Sequence, residues 1–162
     1  MKKLLTILSC MLAVSGAQAQ SDLPFDVTEV TSFDQPWAMA FLPDGRILVT
    51  EKKGLLRLVG QDGQSFGAVR GVPNVDYFGQ GGLGDVVLHP EFEDNGLVYL
   101  SYVEGGIGGT RGAAVARGVL TLTERRGTLS DVEVVWRQYP KMVGFGHYGH
   151  RIVFDDDGYL WI

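Results

Sequence analysis

The 162 residues carry 14 Lys and Arg against 19 Asp and Glu, a net charge of −5. That balance offers no cationic stripe to follow a phosphate backbone, so no nucleic-acid partner is expected. A single cysteine, Cys10, excludes an internal disulfide and a thiolate metal cluster.

The chain opens with Lys2 and Lys3, an apolar run from Leu4 to Val14, and small residues ending Ala17-Gln18-Ala19. This is the order of a secretory signal peptide over residues 1–19, cleaved after Ala19. The run has eleven residues, whereas a membrane span needs about 20. No membrane span is therefore expected. Cys10 raises lipid attachment as the alternative, but it sits mid-run rather than at the end of the apolar stretch. Cleavage would leave residues 20–162 periplasmic or secreted, without cysteine, with 12 basic against 19 acidic residues and a net charge of −7.

Beyond the leader no stretch keeps apolar residues at helical spacing over three turns. Short β-rich runs separated by Gly, Asp, Asn and Pro predict strands at Asp26–Val30, Ala38–Phe41, Ile47–Thr50, Leu55–Leu58 and Asp85–Leu88. Further strands are predicted at Leu97–Tyr102, Ala114–Leu122, Val132–Arg137, Ile152–Phe154 and Tyr159–Ile162. The class is all-β.

One phrase recurs along these strands: an apolar strand, an acidic turn with glycine, and a second apolar strand. It occurs at Ala40–Val49, at Val87–Leu100 with an insertion before Gly96, and at Val153–Ile162. The glycine supplies the positive φ of a tight hairpin. The turn glycines, Gly45, Gly96 and Gly158, lie 51 and 62 residues apart. A hairpin repeating at that distance, with two more strands between copies, is the pattern of β-propeller blades. A β-sandwich with similar hairpins is the competing reading. On the propeller reading residues 20–162 make about two blades and the start of a third, an incomplete ring, and Ile162 falls within a strand.

Four phrases in order carry a more specific signal: Pro36–Gly45 (PWAMAFLPDG), Gly79–Leu83 (GQGGL), His89–Phe92 (HPEF) and His147–Phe154 (HYGHRIVF). Together they resemble the glucose/sorbosone dehydrogenase family, the soluble quinoprotein sugar dehydrogenases, and its aldose sugar dehydrogenase branch more than the glucose-specific one. The resemblance implies a six-bladed propeller that holds pyrroloquinoline quinone (PQQ) near its axis and oxidises the anomeric C1–OH of aldoses to lactones. A histidine base would take the hydroxyl proton while hydride passes to the quinone. Such a base is needed because hydride loss alone would build positive charge on oxygen, and imidazole titrates near working pH.

The family's base corresponds to His147, four residues before Arg151. From the residues alone, His147 could equally be a loop histidine bonded to backbone. His150 is its rival, and His147 with His150 could also suggest a metal, yet the pair lacks neighbouring carboxylate or thiol partners. His89, in a hairpin turn, is expected to be structural. Gln80 corresponds to the family's sugar or quinone contact, since an amide both donates and accepts; a solvent-facing residue of a glycine-rich turn is the alternative. Trp37 and Phe41 are expected to pack between blades. The Gly105–Gly112 run lacks the Lys-Ser/Thr and helix of a phosphate loop. Asp155, Asp156 and Asp157 suit an acidic turn better than a calcium loop.

Departures from the family pattern are Gly146, where an aspartate orients the base in glucose-specific members, and Gly84, where leucine is usual and packing is expected to be lost. The basic residues that hold the quinone and the calcium site are expected downstream of residue 162; within the chain no metal site is expected. The substrate is a small-molecule sugar, and neither which sugar nor which electron acceptor is implied. A non-catalytic exported propeller that binds carbohydrate or protein is the alternative function. A calcium-dependent lactonase would need axis-facing carboxylates, and none is expected outside turns.

Overall fold

The computed structural model describes residues 24–162, so the expected signal peptide and its cleavage site lie outside the described residues. Strands β1 (Pro36–Phe41), β2 (Ile47–Glu51), β3 (Leu55–Val59) and β4 (Ser65–Ala68) pair in chain order as an antiparallel meander. The meander repeats in β5 (Leu83–Leu88), β6 (Leu97–Gly105), β7 (Thr110–Leu122) and β8 (Gly127–Arg137). The short β9 (Met142–Val143) pairs with the start of β7. A third sheet begins with β10 (Val153–Phe154) and β11 (Leu160–Trp161). Two propeller blades and the start of a third are present, as expected.

The recurring phrase has one geometry. Each turn is closed by the N–H of the residue just after the first strand, donated to the carbonyl of the residue after the turn glycine: Leu42 to Arg46, His89 to Leu97, Asp155 to Tyr159. Gly45, Gly96 and Gly158 all have positive φ, from 66° to 85°, which a residue with a Cβ rarely adopts. In the second copy the insertion forms a single helical turn, α1 (Phe92–Asn95). His89 is structural here: its Nδ1 meets the Glu91 N–H at 3.1 Å and the Asn95 amide at 2.9 Å. Asp155 accepts the N–H groups of Asp157 and Tyr159 and the Trp161 indole, so the acidic run is a turn. The Gly105–Gly112 run forms the β6–β7 hairpin around a 3₁₀ turn at Ile107–Gly109, with no α-helix behind it.

The expected strand at Asp26–Val30 does not form; the segment passes the Gly60–Gly63 turn without a ladder partner, its Val30 carbonyl filling the space beside Gly63. β4, which no alternation marks, exists because β3 offers it a free edge: Arg57 pairs with Ala68 and Val59 with Ser65.

The main core lies between the two blades. Leu48, Leu56 and Leu58 of the first meet Val86, Val98, Leu100, Ala114 and Ala116 of the second, none more than 2% exposed. The second blade's other face holds Tyr99 and Val115, covered by Ile152 and Phe154. On β1, alternation sends Ala38 and Ala40 into the shared core. Trp37, Met39 and Phe41 point to the opposite face and are exposed. Trp37 and Phe41 therefore do not pack between the two described blades but lie on the first blade's other face. The blades are also laced by backbone: Leu83 N–H to Lys52 O at one end, and Arg70 N–H to Gly127 O with Leu129 N–H to Arg70 O at the other.

A polar knot ties the segment before β10 to the second blade. Asp85, on β5 and 4% exposed, accepts the N–H groups of Val86 and Ile152 at 3.0 Å each. Ser101 on β6 accepts the Asp85 N–H at 2.8 Å and donates to the His150 carbonyl at 2.6 Å. His150 is buried, with φ of 67°. Its ring fills the notch left by Gly84: a Cβ at position 84 would fall on Nδ1 and Cγ of the imidazole. The loss of packing expected at Gly84 therefore does not occur: the His150 imidazole takes that volume.

Gly84→Ala should destabilise the full-length gene product by about 1–3 kcal/mol through overpacking. His150→Gly in the same background should remove most of that clash. Urea unfolding of both single variants and the double gives the coupling, expected to be about 1 kcal/mol or more. Strictly additive effects would mean that His150 does not occupy the notch.

Candidate active site

Two loops meet at the inner end of the blades. The first joins β4 to β5. Within it the Asp76 N–H donates to Val103 O, Asp76 Oδ1 accepts the Phe78 N–H, and the Gly81 N–H closes a turn on Phe78 O. That turn lifts Gln80 to its tip, exposed to solvent. Gly79, in the positive-φ region, lets it approach the second loop closely, since a Cβ there would lie 2.6 Å from Phe145 Cβ. The ammonium of Lys52, just past β2, holds the Gly79 carbonyl and sits 5.1 Å from the Tyr77 ring centroid.

The second loop runs from β9 to β10 and carries His147, which is exposed. It is held at two places: the Gln80 N–H donates to Phe145 O at 3.1 Å, and the Asp85–Ser101 knot grips His150 and Ile152. At Gly146 a side chain would meet nothing within 4 Å. The absence of an orienting carboxylate there is thus not enforced by crowding.

The loops enclose a cleft of about 240 Å³ lined by Trp37, Lys52, Gln80, His147, Tyr148, Gly149 and His150. Gln80 and His147, the two residues singled out from the sequence, therefore share one site. His150 forms its back wall, edge-on to Trp37 with ring centroids 5.4 Å apart. Burial pushes the His150 pKa below its ordinary value, and the nearby Asp85 carboxylate only partly opposes this. Burial thus disfavours the charged ring, which the scaffold holds in place. His147 and Gln80 have the exposure that substrate contact requires, and His150 lacks it.

Lys52 is a cleft residue outside every motif, while Tyr148 and Trp37 lie within the His147–Phe154 and Pro36–Gly45 phrases without a site role predicted for them. Lys52 follows β2 with no pattern around it; only folding brings it beside Gly79. Contrary to expectation, carboxylates are not confined to turns: Glu51, Asp85, Glu104, Asp131 and Glu133 lie in strands. Asp85 is occupied as described, and Glu51 accepts the Asp34 N–H and the Arg57 guanidinium at 2.9 Å each. Among the described residues no three His, Cys, Asp or Glu side chains gather as a metal site would need. No helix among them is long and apolar enough to cross a membrane.

Residues 33–162 match the Glucose / Sorbosone dehydrogenase family. Over 131 residues the chain is 45% identical to an aldose sugar dehydrogenase of Escherichia coli (strain K12), covering 80% of this chain and 34% of that protein. The crystal structure of the soluble aldose sugar dehydrogenase from Escherichia coli in its apo-form superposes with a TM-score of 0.73 at 43% identity, covering 78% of this chain and 36% of that one. The PQQ-bound form of an aldose sugar dehydrogenase from Streptomyces coelicolor superposes with a TM-score of 0.69 at 28% identity, over 81% and 38% of the two chains. The chain spans about a third of the length of these relatives. With the family model matched over residues 33–162, the chain belongs to the glucose/sorbosone dehydrogenase family.

Proposed function

We propose that this chain forms part of an exported, periplasmic or secreted, PQQ-dependent dehydrogenase that oxidises the anomeric C1–OH of aldoses to lactones. His147 is its base and Gln80 a sugar contact. The observation that carries the reading is the shared cleft: the amide of Gln80 and the imidazole of His147 come from different loops, joined by the Gln80–Phe145 backbone hydrogen bond.

The lining fits a polyhydroxy sugar beside a flat ring. Trp37 and Tyr148 offer aromatic surface, Gly149 leaves backbone bare, and Gln80 presents donors and an acceptor. Lys52 is the single Lys or Arg among the residues lining the cleft, too few cations for the three carboxylates of PQQ. Residues that hold those carboxylates, and a calcium site, are assigned to chain beyond residue 162. When bound, PQQ accepts the two electrons and hydrogen of the C1–H bond as hydride. His147 takes the proton of the C1 hydroxyl, so the carbon is oxidised to the lactone carbonyl without a cationic oxygen. Gln80 orients the hydroxyls so that this proton faces the imidazole.

In the full-length gene product, His147→Gln should lower kcat for aldose oxidation by about 10²–10⁴ while PQQ titration stays near normal. Dye reduction with an aldose, with calcium present, measures the first effect. Unchanged turnover would remove His147 from the role, and PQQ binding without oxidation of any aldose by the unmodified protein would favour a binding module.

His150 has a separate signature. Its folded pKa lies below the unfolded value of about 6.5, so the unfolded chain takes up the proton first. The stability it contributes is complete above pH 6.5 and is lost as pH falls through the folded value. Unfolding free energies from urea titrations between pH 5 and 7.5 should therefore fall more steeply with acid in the unmodified protein than in His150→Asn, by at most about 1.4 kcal/mol per pH unit. Parallel curves would show that the ring is not held neutral.

A further inference from the structure

Arg111, at the start of β7, is absent from the cleft and from the motifs, yet it touches both loops that make the cleft. Its side chain is only 17% exposed. The guanidinium carbon lies 5.2 Å from the ring centroid of Phe78, in the Gln80 loop, and 5.6 Å from that of Phe145, in the His147 loop. The two rings are themselves 4.8 Å apart. Nε stands 2.8 Å from Asp76 Oδ2, but its N–H does not aim at that oxygen, so the contact is an ion pair rather than a hydrogen bond. The other carboxylate oxygen of Asp76 accepts the Phe78 N–H that starts the turn to Gln80.

From this geometry we propose that Arg111 is a positioning residue: it clamps the Gln80 loop to the His147 loop through Asp76, Phe78 and Phe145. The inference rests on the roles proposed for Gln80 and His147. A cation set over two adjoining aromatic rings is attracted by both, and more strongly where water is excluded. A guanidinium can lie flat on a ring while keeping charge toward a carboxylate, which a compact ammonium cannot match. The Gln80–Phe145 backbone hydrogen bond lies beside this clamp, so loosening the rings frees the same contact that sets amide and imidazole side by side. The clamp belongs to the second blade alone, through β7 and the loops that flank it.

Hydrogen–deuterium exchange on the full-length gene product is the first measurement. Arg111→Met should raise exchange in both 76–82 and 142–149, while 97–103 stays protected, and Arg111→Lys should fall between. Phe145→Leu removes one ring and keeps the ion pair; it should free 76–82 as well, and it serves if Arg111→Met does not fold. In the active enzyme, kcat with an aldose should fall about 10–100-fold in Arg111→Met, the scale of misplacement by about an ångström. Gln80→Ala should then cost much less in that background than in the unmodified protein. Exchange that rises in one loop only, or not at all, overturns the clamp. So does full activity with both loops loosened, or additive loss with Gln80→Ala. If the unmodified protein oxidises no aldose, the proposed function falls, and the exchange data alone decide whether the clamp exists.

Discussion

A twisted antiparallel sheet of four strands has two faces, and alone it can cover neither. That constraint organises the chain. The first and second blades satisfy it for one face each by burying Leu48, Leu56 and Leu58 against Leu100, Val98 and the small Ala114 and Ala116, the alanines letting the sheets come close. Once the blades are stacked, the ends of their strands are stacked too. The loops leaving β4 and β9 are then neighbours in space although they are far apart in sequence. The cleft is a by-product of that stacking, refined by a few contacts that hold the loop tips.

Those contacts differ in character from the core. Asp85 is a carboxylate taken out of water, which is unfavourable unless its oxygens are well bonded. Two backbone N–H groups meet that condition, and the second, from Ile152, belongs to the strand-to-be of the next blade. Arg151, 3.8 Å away and largely in solvent, adds little beside them. The polar knot therefore contributes register more than net stability: it selects one seat for the segment after His147. The apolar contact of Ile152 with Tyr99 and Val115 then supplies the stability.

The hairpin phrases were legible because each turn imposes its chemistry locally. A glycine with positive φ and an acidic residue that accepts turn N–H groups can be recognised without knowing what lies across the sheet. β4 was not legible, since Ser65–Ala68 has no alternation of its own and borrows its pairing from β3. The segment 26–30 misled in the opposite sense, having strand composition and no edge to join. At the site, His147 and Gln80 could be named through family phrases. Lys52 and Arg111 could not, because their relevance comes from the meeting of loops and from no spacing along the chain. The seat of His150 was hidden for the same reason: a glycine on β5 and a histidine far downstream describe one volume only after the fold brings them together.

That shared volume restricts the order in which the two positions can change over generations. Any side chain at 84 is barred while an imidazole stands in its place, whereas a smaller residue at 150 leaves only a void behind the cleft. A lineage moving from this arrangement to a bulky residue on β5 must therefore first empty position 150 and tolerate the hollow for a time. The reverse journey must trim position 84 before the histidine can enter. Neither substitution is neutral by itself, so a change at one position constrains what the other can tolerate.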